Sequence, residues 1–196
     1  MSLPTRQFTV DDVRAMPDDG NRYELIAGTL YVSPTPTLRH ERVKMRLVVA
    51  LVHCLEPLGL VESLIPGPAE LTWGTNDNYV DPDLWVADLD EMANYEWPLL
   101  RTVPLVVEVL SPTSKRRDRV DKRQLYQHMG VGTYWVVDTE RCVVDTERCV
   151  VDTERCVVDE CRPTDELLRQ VAERLEWRVN ADAPLFTLLL ADLFRG

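Results

Sequence analysis

The apolar positions of the chain change period from one segment to the next, and clusters of proline, glycine and aspartate separate those segments. Thr9, followed three residues later by Asp12, has the form of a capping box. A short helix is expected to open there and to stop at Pro17 and the Asp18-Asp19-Gly20 turn. Tyr23-Glu24-Leu25-Ile26 and Thr29-Leu30-Tyr31-Val32 alternate with period two around Ala27-Gly28, which predicts a β-hairpin. Across residues 37–58 the positions Val43, Leu47, Ala50, Leu51, Cys54 and Leu55 recur at helical spacing; this is the longest predicted helix, and Gly59 ends it. Short strands are expected over 60–64, 69–73 and 84–87, with a polar loop over 74–78.

Residues 104–110 form an apolar run of valine and leucine broken only by Glu108, the pattern of a strand buried on both faces. A helix is expected over 114–129, ending at Gly130, and a strand over 133–137. Strand, helix and strand in that order predict a βαβ-like unit with parallel strands or one mixed sheet. From residue 165 onward the pattern predicts a polar, partly helical stretch, β-like segments at 175–179 and 185–190, and a closing helical turn at 191–194. Together these elements predict an α/β fold, a mixed sheet flanked by helices with an N-terminal hairpin, in one domain over residues 1–196.

Residues 136–159 hold VVDTERC three times without a gap, and a fourth copy begins at Val157-Val158-Asp159. Valine, threonine and cysteine are mediocre helix formers, which argues against a heptad coiled coil. An odd period reverses the facing of each residue between copies, so one continuous strand cannot bury every valine on one side. Short Cys-Val-Val strands joined by Asp-Thr-Glu-Arg turns satisfy the pattern, as a tandem duplication of one hairpin arm with two surplus copies. Cysteines seven residues apart do not have zinc-knuckle spacing.

Charge and cysteine usage narrow the setting. No apolar run reaches the ~18 residues of a membrane span, and the polar N-terminal residues lack a signal peptide's apolar region. An odd count of five cysteines, three of them inside the repeat, predicts free thiols in a reducing cytoplasm rather than a disulfide framework. The net charge of −11 opposes binding to phosphates. Against it, Lys115, Arg116, Arg117, Arg119, Lys122 and Arg123 fall within nine residues, opposed by Asp118 and Asp121. Arg116 and Arg117 are therefore candidate phosphate-binding residues; a solvated helix start is the alternative for such a run.

Two residues break their local pattern. An ionised carboxylate at Glu108, inside a valine-rich strand, is costly unless it is paired or binds a metal. Lys122 shares a helical face with Leu125, Tyr126 and Met129, so it points toward the sheet and needs an anion, or snorkels past the helix start into water. Asp83 stands at a strand entrance after Asp81-Pro82. Two carboxylates at strand ends with one lysine suit Mg²⁺-assisted phosphoryl transfer, because hard oxygen ligands bind Mg²⁺ and a cation offsets charge developing on phosphorus.

These residues also resemble a family. Tyr23-Glu24-Leu25-Ile26 with Gly28, Ser33-Pro34-Thr35-Pro36 with His40, Asp81-Pro82-Asp83-Leu84, Val106-Val107-Glu108-Val109-Leu110-Ser111-Pro112, Asp121-Lys122-Arg123 with Tyr126, and Tyr134-Trp135-Val136-Val137-Asp138 are similar to the Uma-two (Uma2) family of restriction endonucleases, within the PD-(D/E)XK nuclease superfamily. The resemblance implies a restriction-endonuclease-like fold and Mg²⁺-dependent cleavage of DNA, with a homodimer as the assembly. It makes Asp83 and Glu108 the acidic ligands, gives the carbonyl of Val109 to the metal, and makes Lys122 the catalytic lysine, because Leu110 occupies the superfamily's usual lysine position. Glu24 and His40 match as accessory positions, each also explicable as structural, while His53 and His128 read as structural. Two other functions fit the same chain: a non-catalytic protein–protein assembly module on a nuclease fold, favoured by the net charge, and a phosphodiesterase acting on RNA or nucleotides.

Overall fold

A computed structural model describes residues 7–88, 91, 101–139, 144–145, 150–151 and 157–195. The first helix, α1 (Val10–Arg14), opens with the expected capping box between Thr9 and Asp12. The hairpin follows as β1 (Arg22–Ile26) and β2 (Thr29–Ser33), paired antiparallel. Its two-residue turn has positive φ at both Ala27 (49°) and Gly28 (74°), the primed turn whose twist matches the strands. Thr37 caps α2 (Leu38–Leu55), whose last turn tightens into a 3₁₀ segment, Glu56–Leu58.

The central sheet has six strands: β3 (Leu64–Pro66), β4 (Leu84–Val86), β5 (Leu105–Val109), β6 (Tyr134–Val137), β9 (Val158–Cys161) and β10 (Arg169–Val171), in the order β10-β9-β6-β5-β4-β3. β5 and β6 run parallel and every other pair is antiparallel, so the predicted βαβ crossover sits inside a mixed sheet. Alternation along the strands gives the sheet two apolar faces. Leu84, Val107 and Trp135 pack with Leu47 and Leu51 of α2 and with Phe186 and Leu193. The last two belong to the hairpin of β11 (Arg174–Trp177) and β12 (Phe186–Leu189) and to a terminal helix, Leu190–Phe194. The opposite residues, Trp85, Val106, Tyr134 and Val136, pack with Leu125 and Tyr126 of the crossover helix.

The crossover helix departs from regular geometry. Its first part, Arg117–Lys122, is π-helical, and an α-helical part, α3 (Arg123–His128), continues it. The wider π turn aligns residues four and five apart, which turns Arg117, Asp118 and Lys122 toward the sheet together.

Three local expectations are corrected. Residues 61–63 form a 3₁₀ turn and the strand begins at Leu64, because residues 60–64 carry no clean period-two signal. Residues 69–73 supply one isolated bridge, Leu71 to Val80, rather than a strand. The stretch after 165 includes β10, whose pairing with β9 outweighs its polar composition. Within the repeat, β7 (Val144–Asp145) and β8 (Val150–Val151) pair antiparallel; the other copies' turn residues lie largely outside the described residues.

Candidate active site

The register of the sheet brings the two predicted acids together. Leu84 pairs with Val107, so one step outward Asp83 lies opposite Glu108, both on the face that the crossover helix covers. Glycine makes room for this approach. A Cβ on Gly67 would fall 1.8 Å from the carbonyl oxygen of Pro82, and the Gly67 N–H donates to the Asp83 carbonyl at 2.9 Å.

Asp83 is buried, with three partners on its two oxygens. The Val109 N–H donates to its Oδ2 at 2.7 Å, His40 Nε2 lies 3.0 Å from the same oxygen, and Arg22 Nη1 is 3.1 Å from Oδ1. Burial alone would raise this carboxyl; His40, Arg22 and the Val109 amide outweigh it and hold it at about 2. The other His40 ring nitrogen, Nδ1, faces Glu41 at 3.2 Å. His40 reaches the site because Thr37 caps α2 and directs its first turn at Asp83.

Glu108 has the opposite character. Its Oε1 receives Lys122 Nζ at 2.6 Å and the Tyr126 hydroxyl at 2.8 Å. Burial nevertheless pushes it up to about 8, and Asp118, Asp83 and Glu24 add to the rise that Lys122 opposes. Lys122 has no exposed surface and touches three carboxylates: Glu108, Glu24 at 2.7 Å and Asp118 at 3.9 Å. Burial lowers its pKa, but the carboxylates prevail and hold it above the ordinary lysine value. It is a fixed cation, not a base.

Glu24 belongs to the same cluster. It pairs with Lys122 and, at 3.2 Å, with Arg117, and it accepts the Asp81 N–H at 3.1 Å. Arg117 also bonds Asp118 and the Ser33 hydroxyl, so it faces inward as part of the cluster. The neighbouring Arg116 is exposed, and the two candidate phosphate ligands therefore occupy different environments. Reading the charge run missed Arg22 and Asp118. Asp118 carries a signal in hindsight, since it lies one turn before Lys122; Arg22 carries none.

Five carboxylates, Glu24, Asp81, Asp83, Glu108 and Asp118, share this region with three permanent cations, Arg22, Arg117 and Lys122. Burial and Glu24 also lift Asp81, to about 6. Burial raises Asp118 as well, and with all five carboxylates ionised the three cations leave an excess of two negative charges, the size of one divalent ion. Among the described residues no three His, Cys, Asp or Glu side chains are spaced to cage a metal. Two opposed carboxylates, with water and substrate completing the shell, are nonetheless the donor set that Mg²⁺ takes. The residues fit that ion.

The fold has a solved counterpart, described as a putative nuclease from Anabaena variabilis ATCC 29413. It is 19% identical and superposes with a TM-score of 0.70 over 95% of this chain and 97% of its own. No curated protein matches the sequence, and no helix among the described residues is long and apolar enough to cross a membrane. The sequence model of the Uma2 family, described as putative restriction endonucleases, matches residues 10–182, and the chain belongs to that family.

Proposed function

We propose that the protein is a Mg²⁺-dependent endonuclease that hydrolyses phosphodiester bonds in DNA, with Asp83, Glu108 and Lys122 at the catalytic centre. One observation carries this reading: Asp83 and Glu108 face each other across β4 and β5, and a buried lysine contacts Glu108 from the crossover helix. Asp83 and Glu108 would hold the ion, joined by the Val109 carbonyl. When bound, Mg²⁺ supplies a more acidic water and compensates negative charge on the phosphoryl oxygens.

The chain's own groups do the remaining work. Hydrolysis forms a bond from water oxygen to phosphorus and breaks the bond from phosphorus to a sugar oxygen; of the water's two protons, one ends on the sugar hydroxyl and the other passes to solvent. Lys122, kept protonated by its carboxylate neighbours, stabilises the charge that builds on phosphorus and orients the incoming water. Glu24 and Arg117 position Lys122, Tyr126 orients Glu108 through its hydroxyl, and His40 with Arg22 holds Asp83 ionised. The exposed Arg116 meets the substrate backbone.

Cleavage assays with duplex DNA, RNA and a small phosphodiester, with Mg²⁺ and with EDTA, test the proposal. Mg²⁺-dependent cleavage of DNA is expected. Cleavage confined to RNA or to the small diester would move the substrate, and inertness toward all three would favour an assembly role, which the net charge of −11 also suits.

A further inference from the structure

Beside the acidic centre, the turn of the N-terminal hairpin, the loop at 75–78 and α3 line an open cleft of about 510 Å³. Tyr31, Leu125 and Met129 give it apolar surface; Asp121, Gln124 and His128 bring polar groups from the crossover helix, and Asp77 and Asn78 bring others from the opposite side. The cleft adjoins the centre through shared residues. Tyr31 is the cross-strand partner of Glu24, and its ring lies 5.8 Å from the Arg117 guanidinium carbon. Asp121 immediately precedes Lys122.

We infer that this cleft is a nucleobase subsite that selects an unpaired guanine, at a strand end or extruded from the duplex, in the nucleic acid held at the neighbouring centre. Tyr31, Leu125 and Met129 offer apolar surface to a planar ring, and the volume lies within the range of small-molecule sites. The polar side selects the edge. The Tyr31 hydroxyl fixes Asp121 by donating to Oδ2 at 3.2 Å, which leaves Oδ1 without a hydrogen bond among the described residues. A fixed carboxylate accepts paired N–H groups and repels phosphate. Of the bases, guanine presents adjacent N1–H and N2–H donors that match a carboxylate; adenine offers an acceptor at N1, and inosine lacks the 2-amino group. Gln124 and His128 lie within the same cleft to meet acceptors such as O6 and N7.

The inference rests on the nuclease reading for its biological use, but base binding can be read without cleavage. The probe is free guanosine, added to full-length protein carrying ¹³C-labelled methionine methyls. Met129 lines the cleft, whereas Met45 is exposed on α2 and serves as the internal control. Guanosine should shift the Met129 signal and leave Met45 unmoved. Adenosine should bind about tenfold more weakly, inosine should fall between, and Asp121→Asn should abolish the preference for guanosine, the size expected of one paired donor–acceptor contact. An unmoved Met129 signal, or equal affinity for guanosine and adenosine, would overturn the subsite. A preference unchanged in Asp121→Asn would overturn it as well. Guanosine binding by a protein inert toward DNA, RNA and the small diester would keep the subsite and remove the nuclease reading, while cleavage without guanosine binding would overturn the subsite alone.

Discussion

A lysine without exposed surface stays charged only where anions surround it, and Lys122 has three carboxylates within 4 Å. Lys122→Met keeps the volume and removes the charge. It should cost about 3 kcal/mol of stability in metal-free buffer and lower cleavage at saturating Mg²⁺ by roughly 100-fold or more; urea unfolding and single-turnover rates measure the two effects separately. Lys122→Arg should restore stability better than rate, because the larger guanidinium pairs with carboxylates but cannot reproduce the ammonium's position. Glu108 supplies a pH signature. Its folded-state pKa, about 8, lies above the ordinary glutamate value, so the folded state binds its proton more tightly than the unfolded chain does. That stabilisation is complete below about pH 4.5 and is lost as pH rises to about 8. Melting temperatures in EDTA should therefore fall across that window, and Glu108→Gln should flatten the fall. An equally steep decline in Glu108→Gln would assign it to other groups.

At the scale of elements, the repeat shows how the sheet tolerates an insertion. Val137 pairs with Val158 and Val144 with Val151, so seven residues forward from β6 to β7 are matched by seven residues back from β9 to β8. The two ladders share one register. Arg119 of the crossover helix bonds Asp138 at 2.9 Å and Asp159 at 2.8 Å, equivalent aspartates of the first and last copies, and so ties the site helix to the base of the arm. Deleting residues 143–156 keeps both aspartates and rebuilds the same Asp-Thr-Glu-Arg-Cys-Val tip between β6 and β9. Its unfolding free energy should lie within about 1 kcal/mol of the parent's, because loop length contributes weakly. Deleting only residues 150–156 places the ladder's centre on Val144, where a β-branched residue resists the turn, and should cost roughly 1 kcal/mol or more. Equal stability of the two deletions would show that the shared register has no energetic weight. A second element-level test is Gly67→Ala, whose Cβ would collide with the Pro82 carbonyl. It should destabilise by about 2 kcal/mol and displace Asp83, with cleavage reduced beyond what the stability loss explains.

Across the whole molecule, legibility followed the range of the interaction. The hairpin, α2 and β5 were readable because their periods are local, and Glu108 and Lys122 stood out because each violates its own pattern. Arg117 was not: a run of arginines reads as a solvated face, and only the π turn, set by packing on the sheet, brings it to Glu24. Arg22 is invisible for the same reason, since its partner lies 61 residues away. Molecular charge sets the substrate interaction. At −11, DNA binding should be weak without divalent metal and should weaken steeply with salt. Arg116→Ala should reduce the slope of log affinity against log salt by about one, whereas neutralising acidic residues of the repeat should leave it unchanged.

The most direct measurement is the single-turnover rate of duplex DNA cleavage as a function of Mg²⁺, for the natural protein beside Asp83→Asn and Glu108→Gln. The account predicts a rate that rises with Mg²⁺ to saturation in the natural protein and falls by 100-fold or more in each variant at saturating metal, about the loss of one principal transition-state interaction, with both variants folded. Cleavage at the natural rate in both folded variants would contradict the assignment of this acidic pair as the catalytic centre.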